Sequence, residues 1–185
     1  MPYEEAQRWK KGNKRSSHYK QLMAAGQKAA QQAESLLKVV KPEDMPWENT
    51  PQGRIKWLVN EKMPVRVSTV DLYMQELPPG GRSGKHRHMS EEFIFVLEGK
   101  GHDLHWDAEA EIKDKYYWKL AETPSRWEWE EGDAICIPVN TAHQHFNDDP
   151  NKPCRIVCAT NRMYRYVGYP EIVQMENAPD YKARA

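Results

Sequence analysis

Two periods of hydrophobicity divide the chain. From Ser17 onward, Tyr19, Leu22, Met23, Gly26, Ala29, Ala30, Ala33, Leu36, Leu37 and Val40 recur at three- and four-residue intervals, the spacing of one face of an amphipathic helix. Ser16 or Ser17 is placed to cap its start and Pro42 to end it. The face is rich in Ala and Gly, so a partner surface can approach closely, whether its own domain or a second copy. From about Val65 the pattern changes. "VRVSTVDLYMQEL" carries Val, Thr and Tyr and reads as strand. A turn cluster, "PPGGRSG", follows, and then "EEFIFVLEG", "GHDLHWD", "RWEWEEG", "DAICIPV", "HQHFN" and "CRIVCAT", each short and bounded by Gly, Pro, Asn or Asp. Many short strands at this spacing predict an antiparallel sandwich or barrel. "AEAEIKDKYYWKLAETPS" is too polar and long for a tight turn and reads as an excursion between two strands. The predicted organisation is a helical extension over 1–45, an all-β domain over 46–165, and an irregular, aromatic C-terminal arm over 166–185.

In "EEFIFVLEG" both strand faces are apolar, with Phe93, Phe95 and Leu97 alternating against Glu92, Ile94 and Val96. The outer face therefore needs a cover, which the N-terminal helix, another strand layer or a second subunit could supply, and the last makes a homodimer an expectation. The chain has 185 residues and no net formal charge, enough for one domain with extensions. Residues 1–40 carry 8 Lys and Arg against 3 Asp and Glu, and residues 101–150 carry 4 against 12. Both blocks read as solvated surface. A basic leader is not the folded basic patch of a nucleic-acid binder, and no run approaches the roughly 20 apolar residues of a membrane span. Neither nucleic acid nor membrane is expected as a partner. The three cysteines form no CxxC pair, and the lack of a hydrophobic leader adds to a cytoplasmic expectation.

Six of the seven histidines fall between positions 86 and 145. In "HRHMSEEFIFVLEGKG", His86, His88 and Glu92 share parity, so in one extended strand two imidazoles and a carboxylate point the same way. Burying three such groups together is costly unless something satisfies them, and a divalent metal does so directly. Imidazole with carboxylate suits Fe(II), Mn(II), Ni(II) or Zn(II). His145 shares parity with His143 and reads equally as a group facing the site, able to act as base or donor, or as a packed strand histidine. His102 and His105 have opposite parity, so at most one faces inward, and both are expected at the surface or rim. Glu91 should point away from the site. Arg82 and Lys85 read as solvated loop charges, and the "YYW" and "WEW" aromatics as packing.

A second stretch, "GDAICIPVNTAHQHFN", completes a pattern. Gly80, His86, His88, Glu92 and Gly99 fit G-x5-H-x-H-x3-E-x6-G, and Gly132, Pro138, His143 and Asn147 fit G-x5-P-x-G-x2-H-x3-N. The two together resemble the cupin superfamily. Asn140 stands where that family usually has glycine, and Asn also tolerates positive φ. The resemblance implies a double-sheet jelly-roll β-barrel, with His86, His88, Glu92 and His143 holding a divalent metal and about two coordination positions left open. It further implies a mononuclear enzyme. The leading expectation is an Fe(II)-dependent dioxygenase that acts with O2 on a small hydroxylated aromatic or enolic substrate, Glu92 and His145 being its candidate proton acceptors. Mn, Ni or Zn in an isomerase or hydrolase, and a small-molecule-binding protein without turnover, are the alternatives.

Overall fold

The short apolar segments do form strands, and they pair into two separate sheets. A computed structural model of the chain describes residue 12, residues 14–168 and residues 172–182. Most of the basic leader and parts of the C-terminal arm lie outside the described residues. The chain divides into two compact units, Met1–Leu36 and Leu37–Ala185. The first contains α1 (His18–Glu34), none of whose residues is buried. The helix stops well before Pro42, at Ser35, whose N–H and hydroxyl bond back to carbonyls of the last turn. Proline is therefore not its terminator.

In the second unit the strands are β1 (Trp47–Thr50), β2 (Gly53–Val59), β3 (Val70–Leu77), β4 (Lys85–Arg87), β5 (Glu92–Glu98), β6 (Lys100–Trp106), β7 (Ala108–Ile112), β8 (Tyr116–Leu120), β9 (Ser125–Glu130), β10 (Ala134–Ile137), β11 (Ala142–Asn147), β12 (Cys154–Asn161) and β13 (Val173–Glu176). A short helix, α2 (Met163–Tyr166), follows β12. One sheet has six strands in the order β1-β2-β3-β12-β5-β10, and the other has five, β13-β4-β11-β6-β9. The excursion is a hairpin of its own, β7 with β8. The arrangement is a jelly roll, but the sheets do not close into a barrel: among the described residues no ladder joins them. The C-terminal arm is not irregular throughout, since β13 pairs with β4 at the edge of the five-stranded sheet.

The core lies between the sheets. Ile55, Tyr73, Leu77, Ile94, Val96, Ile135, Ile137 and Ile156 come from the inner face of the six-stranded sheet, and Trp129 reaches it from β9. Burying each such side chain contributes about 1.5–3 kcal/mol. At Gly99 the chain turns from β5 in one sheet to β6 in the other with φ +96°, and a Cβ there would press on Cys154. Only glycine takes that corner without strain.

Candidate metal centre

Two short strands and one turn assemble the site. β4 pairs with β11 through His86 and His143, directly opposite each other. His88 lies just past β4, where its carbonyl accepts the Asn140 N–H at 2.8 Å. Asn140 adopts φ 61°, so the turn expected of the variant motif forms. This turn feeds His143 into β11. Glu92 opens β5, in the facing sheet. The one-strand reading of His86, His88 and Glu92 is therefore wrong. The chain changes sheets between His88 and Glu92, His143 comes from the neighbouring strand, and Glu92 is the residue that faces it across the core. Parity still succeeds because both sheets turn their inner faces toward the same space.

One ligand atom from each of His86, His88, Glu92 and His143 can be chosen so that all four lie within 4.8 Å of one another. All four residues are buried. Each imidazole has its Nδ1 against a backbone carbonyl, Gly84 for His86 (3.4 Å), Ser90 for His88 (2.7 Å) and Thr141 for His143 (3.0 Å). A carbonyl can only accept, so Nδ1–H donates there, and in the neutral ring each Nε2 then turns a lone pair toward the cluster. Burial, reinforced by the charge of His143, pushes His86 well below the ordinary histidine range, and burial outweighs Glu92 in pushing His143 down. Burial alone would raise Glu92, but His143 and His88 outweigh it and hold the carboxyl well below its usual value. Glu92 Oε2 stands 3.0 Å from His88 Nε2 and 3.1 Å from His143 Nε2, while His86 Nε2 and His143 Nε2 have no aligned hydrogen-bond partner.

Without a metal, protons on the Nε2 atoms of His88 and His143 lower the Glu92 carboxyl; once those protons leave, three nitrogen lone pairs and a carboxylate oxygen face one another and need another cation among them. A proton bridges one such pair; a divalent ion satisfies all four. Atoms that bind an ion at about 2.1 Å lie at most about 4.2 Å apart, so the cluster needs only a small contraction. The donor set, three imidazoles and one carboxylate, suits a borderline divalent ion.

His86 and His88 form part of the wall of a cavity of about 360 Å³, with Gln52, Ile55, Trp57, Tyr73, Ile172 and Gln174 among its other residues. His145 is fully buried. Its Nδ1 bonds Asp103 Oδ1 at 2.9 Å, its Nε2 has no hydrogen-bond partner among the described residues, and its ring lies 5.4 Å from that of His143. The surface assignment of His102 and His105 does not hold. Both are buried: His102 stacks on Phe146 and pairs with Asp148, while His105 lies inward, 3.5 Å from Asp103 Oδ2. Only one of the two faces inward, as parity requires. Glu91 is exposed. Lys85 lies over the Trp106 ring at 3.5 Å, so it is not simply solvated. Of the "WEW" pair, Trp129 packs in the core and Trp127 is exposed.

Sequence reasoning missed Asp103, Tyr73 and Trp57. Asp103 accepts bonds from His145 and from Trp129 Nε1 at 2.8 Å. Tyr73 donates its hydroxyl proton to Glu92 Oε1 at 2.9 Å. A signal existed for Tyr73: Asp71, Tyr73 and Gln75 share the parity of the core residue Leu77, which puts polar groups on the inner face of β3.

Residues 27–167 match the family model described as auxin binding protein. Among solved structures, the chain is similar to the polyketide cyclase RemF from Streptomyces resistomycificus, with 20% identity over 78% of this chain and 89% of that one and a TM-score of 0.53. It is also similar to oxalate decarboxylase from Lactobacillus farciminis (17% identity, 72% of this chain and 34% of that one, TM-score 0.52). A cupin-2 domain from Rhodospirillum rubrum gives 17% identity, 76% and 80% coverage and a TM-score of 0.50. At these identities the likeness establishes the fold.

Proposed function

The chain belongs to the auxin binding protein family and has the cupin fold, and from that premise we propose that it is a mononuclear metal enzyme acting on a small oxygen-donor molecule. His86, His88, Glu92 and His143 hold one divalent ion beside the cavity of about 360 Å³. The observation that supports this most directly is the convergence of buried ring nitrogens and a carboxylate oxygen, two of the nitrogens having no aligned hydrogen-bond partner among the described residues. When bound, Fe(II) supplies dioxygen activation and polarisation of substrate oxygens, the chemistry of a dioxygenase on a hydroxylated aromatic or enolic compound, whereas Mn(II), Ni(II) or Zn(II) supplies Lewis-acid polarisation for isomerisation or hydrolysis.

The chain's own residues do the rest. Neutral imidazoles and a single carboxylate leave net positive charge on a loaded site, which favours an anionic or enolisable oxygen donor. Ile55, Trp57 and Ile172 give the cavity an apolar wall that excludes water, while Gln52 and Gln174 offer amides to orient a substrate. Glu92 is anionic and becomes a proton acceptor only on detaching from the ion. His145, with Nε2 unpartnered and Nδ1 fixed by Asp103, is the second candidate acceptor.

A second reading, small-molecule binding without turnover, is favoured by the description of the family itself. Elemental analysis and oxygen uptake separate the two. Protein purified without added metal is expected to hold about one ion per chain, and His88→Ala to lose most of it while keeping its β-sheet circular dichroism, since the core is apolar. Full occupancy in that variant would mean the ligand assignment is wrong. After anaerobic Fe(II) loading, oxygen consumption with catechols, hydroxybenzoates or β-diketones supports the dioxygenase. Saturable binding without consumption supports Lewis-acid chemistry or binding alone.

A further inference from the structure

Tyr73 reaches the ligand cluster from the middle of β3. Its ring is buried and packs edge-on against Trp57 at 5.6 Å. Its hydroxyl lies 2.9 Å from Glu92 Oε1 and 3.5 Å from Gln52 Oε1. A phenol has one proton to donate, and the shorter, charged acceptor takes it. The other oxygen of the same carboxylate, Oε2, is the one facing His88 Nε2 at 3.0 Å and His143 Nε2 at 3.1 Å. The carboxylate is thus divided, one oxygen for the tyrosine and one for the cluster. An unconstrained carboxylate can hold a divalent ion through one oxygen or through both. Which it does decides how many positions remain for anything else.

We propose that Tyr73 is a positioning residue: by occupying Glu92 Oε1 it restricts Glu92 to one-oxygen ligation and preserves two adjacent openings on the ion for a chelating small molecule. The inference rests on the metal-site reading and narrows its ligand class to molecules with two neighbouring oxygen donors. Tyr73→Phe isolates the point, because it keeps the ring and its contact with Trp57 and removes only the donor. Oε1 then loses its strong donor, keeping at most the much weaker Cys158 thiol beside it, and can join Oε2, so that the second carboxylate oxygen takes the place of one donor of the incoming molecule.

The test uses the full chain loaded with Co(II), read by its visible absorption, and two probes. Azide brings one donor atom and acetohydroxamate brings two. Both are expected to change the wild-type spectrum saturably. In Tyr73→Phe, at equal cobalt content, acetohydroxamate is expected to bind at least about tenfold more weakly while azide is little changed. Glu92→Gln supplies the control, since a side-chain amide has a single oxygen and cannot chelate. In that background, at saturating cobalt, adding Tyr73→Phe is expected to leave the ratio of the two affinities unchanged. Equal behaviour of both probes in wild type and Tyr73→Phe, loss of cobalt from Tyr73→Phe, or the same selective weakening in the Glu92→Gln background would each overturn the proposal. Failure of the metal-site reading looks different: wild-type protein then takes up no stoichiometric cobalt, or takes up as much after His88→Ala.

Discussion

At Asp103 one buried carboxylate accepts hydrogen bonds from His145 Nδ1 and Trp129 Nε1, at 2.9 and 2.8 Å, with His105 Nε2 at 3.5 Å from its other oxygen. Burial pushes this carboxyl up, but the charge of His145 and the bonds from His105, His145 and Trp129 outweigh it and hold the group well below the usual carboxylate range. The sign of the consequence follows. A folded pKa below the unfolded value of about 3.9 means stabilisation that is present above that value and lost as the pH falls through it toward the folded pKa. Asp103→Asn keeps the shape and removes the charge. Its acid limb of stability is therefore expected to be flatter than that of the wild type below about pH 4. At neutral pH it also replaces the charged acceptor of the His145 Nδ1–H with a neutral amide, a loss of about 1–3 kcal/mol. Urea unfolding of the metal-free protein from about pH 7 down to about pH 3 measures both. Parallel wild-type and variant curves would show that the carboxylate is not the charged partner of the cluster.

Strand pairing carries these residues, and β6 lies against β11 with no room for a side chain at Gly101. Gly101 sits opposite Asn147, and a Cβ on it would lie 1.9 Å from the Phe146 carbonyl oxygen and 2.5 Å from the Trp129 ring. The carbonyl is backbone and cannot give way alone, so Gly101→Ala must shift β11, the strand that holds His143 and His145. A loss near the upper end of the about 1–3 kcal/mol typical of overpacking is expected. In a calorimetric scan each kcal/mol lowers Tm by roughly 2–4 °C at this size, and metal affinity should fall with it. An unchanged Tm would mean the ladder absorbs the methyl group. Much of this level was legible in the sequence. Alternation and turn residues located β5, β6, β9, β10, β11 and β12, and positive φ at Asn140 was foreseeable from its side chain. Sheet membership was not. Period-two alternation says which face of a strand a residue occupies but not which sheet the strand joins, so the switch between His88 and Glu92 left no mark in the pattern. β13 was missed because it is only four residues long, and its burial does not follow the apolar alternation of its sequence. Asp103 was missed and His105 misread because a polar residue on an inner face resembles a surface residue until its partners are known.

The outer face of the six-stranded sheet has a bearing on the whole molecule. Phe93, Phe95 and Leu97 on β5 are 49%, 41% and 43% exposed. Register sets Phe93 beside Cys136 on β10 and Ala159 on β12, and Phe95 beside Ala134 and Val157. The apolar surface therefore runs across three strands to the free edge at β10. The charges flanking it are already paired with one another, Arg54 with Glu76 and Arg155 with both Glu76 and Glu98. Covering this face would strip water from apolar groups with those ions already matched, Glu91 at the end of the strip being the charge a partner would have to meet or leave at its rim. A patch of this kind on a soluble surface calls for a cover, and a second copy meeting it about a two-fold axis supplies the same apolar strip in return. Sedimentation equilibrium is therefore expected to give twice the chain mass of 21.7 kDa. Phe95→Asp puts a charge at the centre of the strip while leaving the inner face of β5, and so Glu92, untouched. It is expected to yield a monomer with its metal content unchanged. A wild-type monomer would remove the need for a cover, and a Phe95→Asp dimer would place the contact on another face. A monomer that also lost its metal would join the two faces of β5 in one cooperative unit, with assembly then holding Glu92 in place across the core from His143.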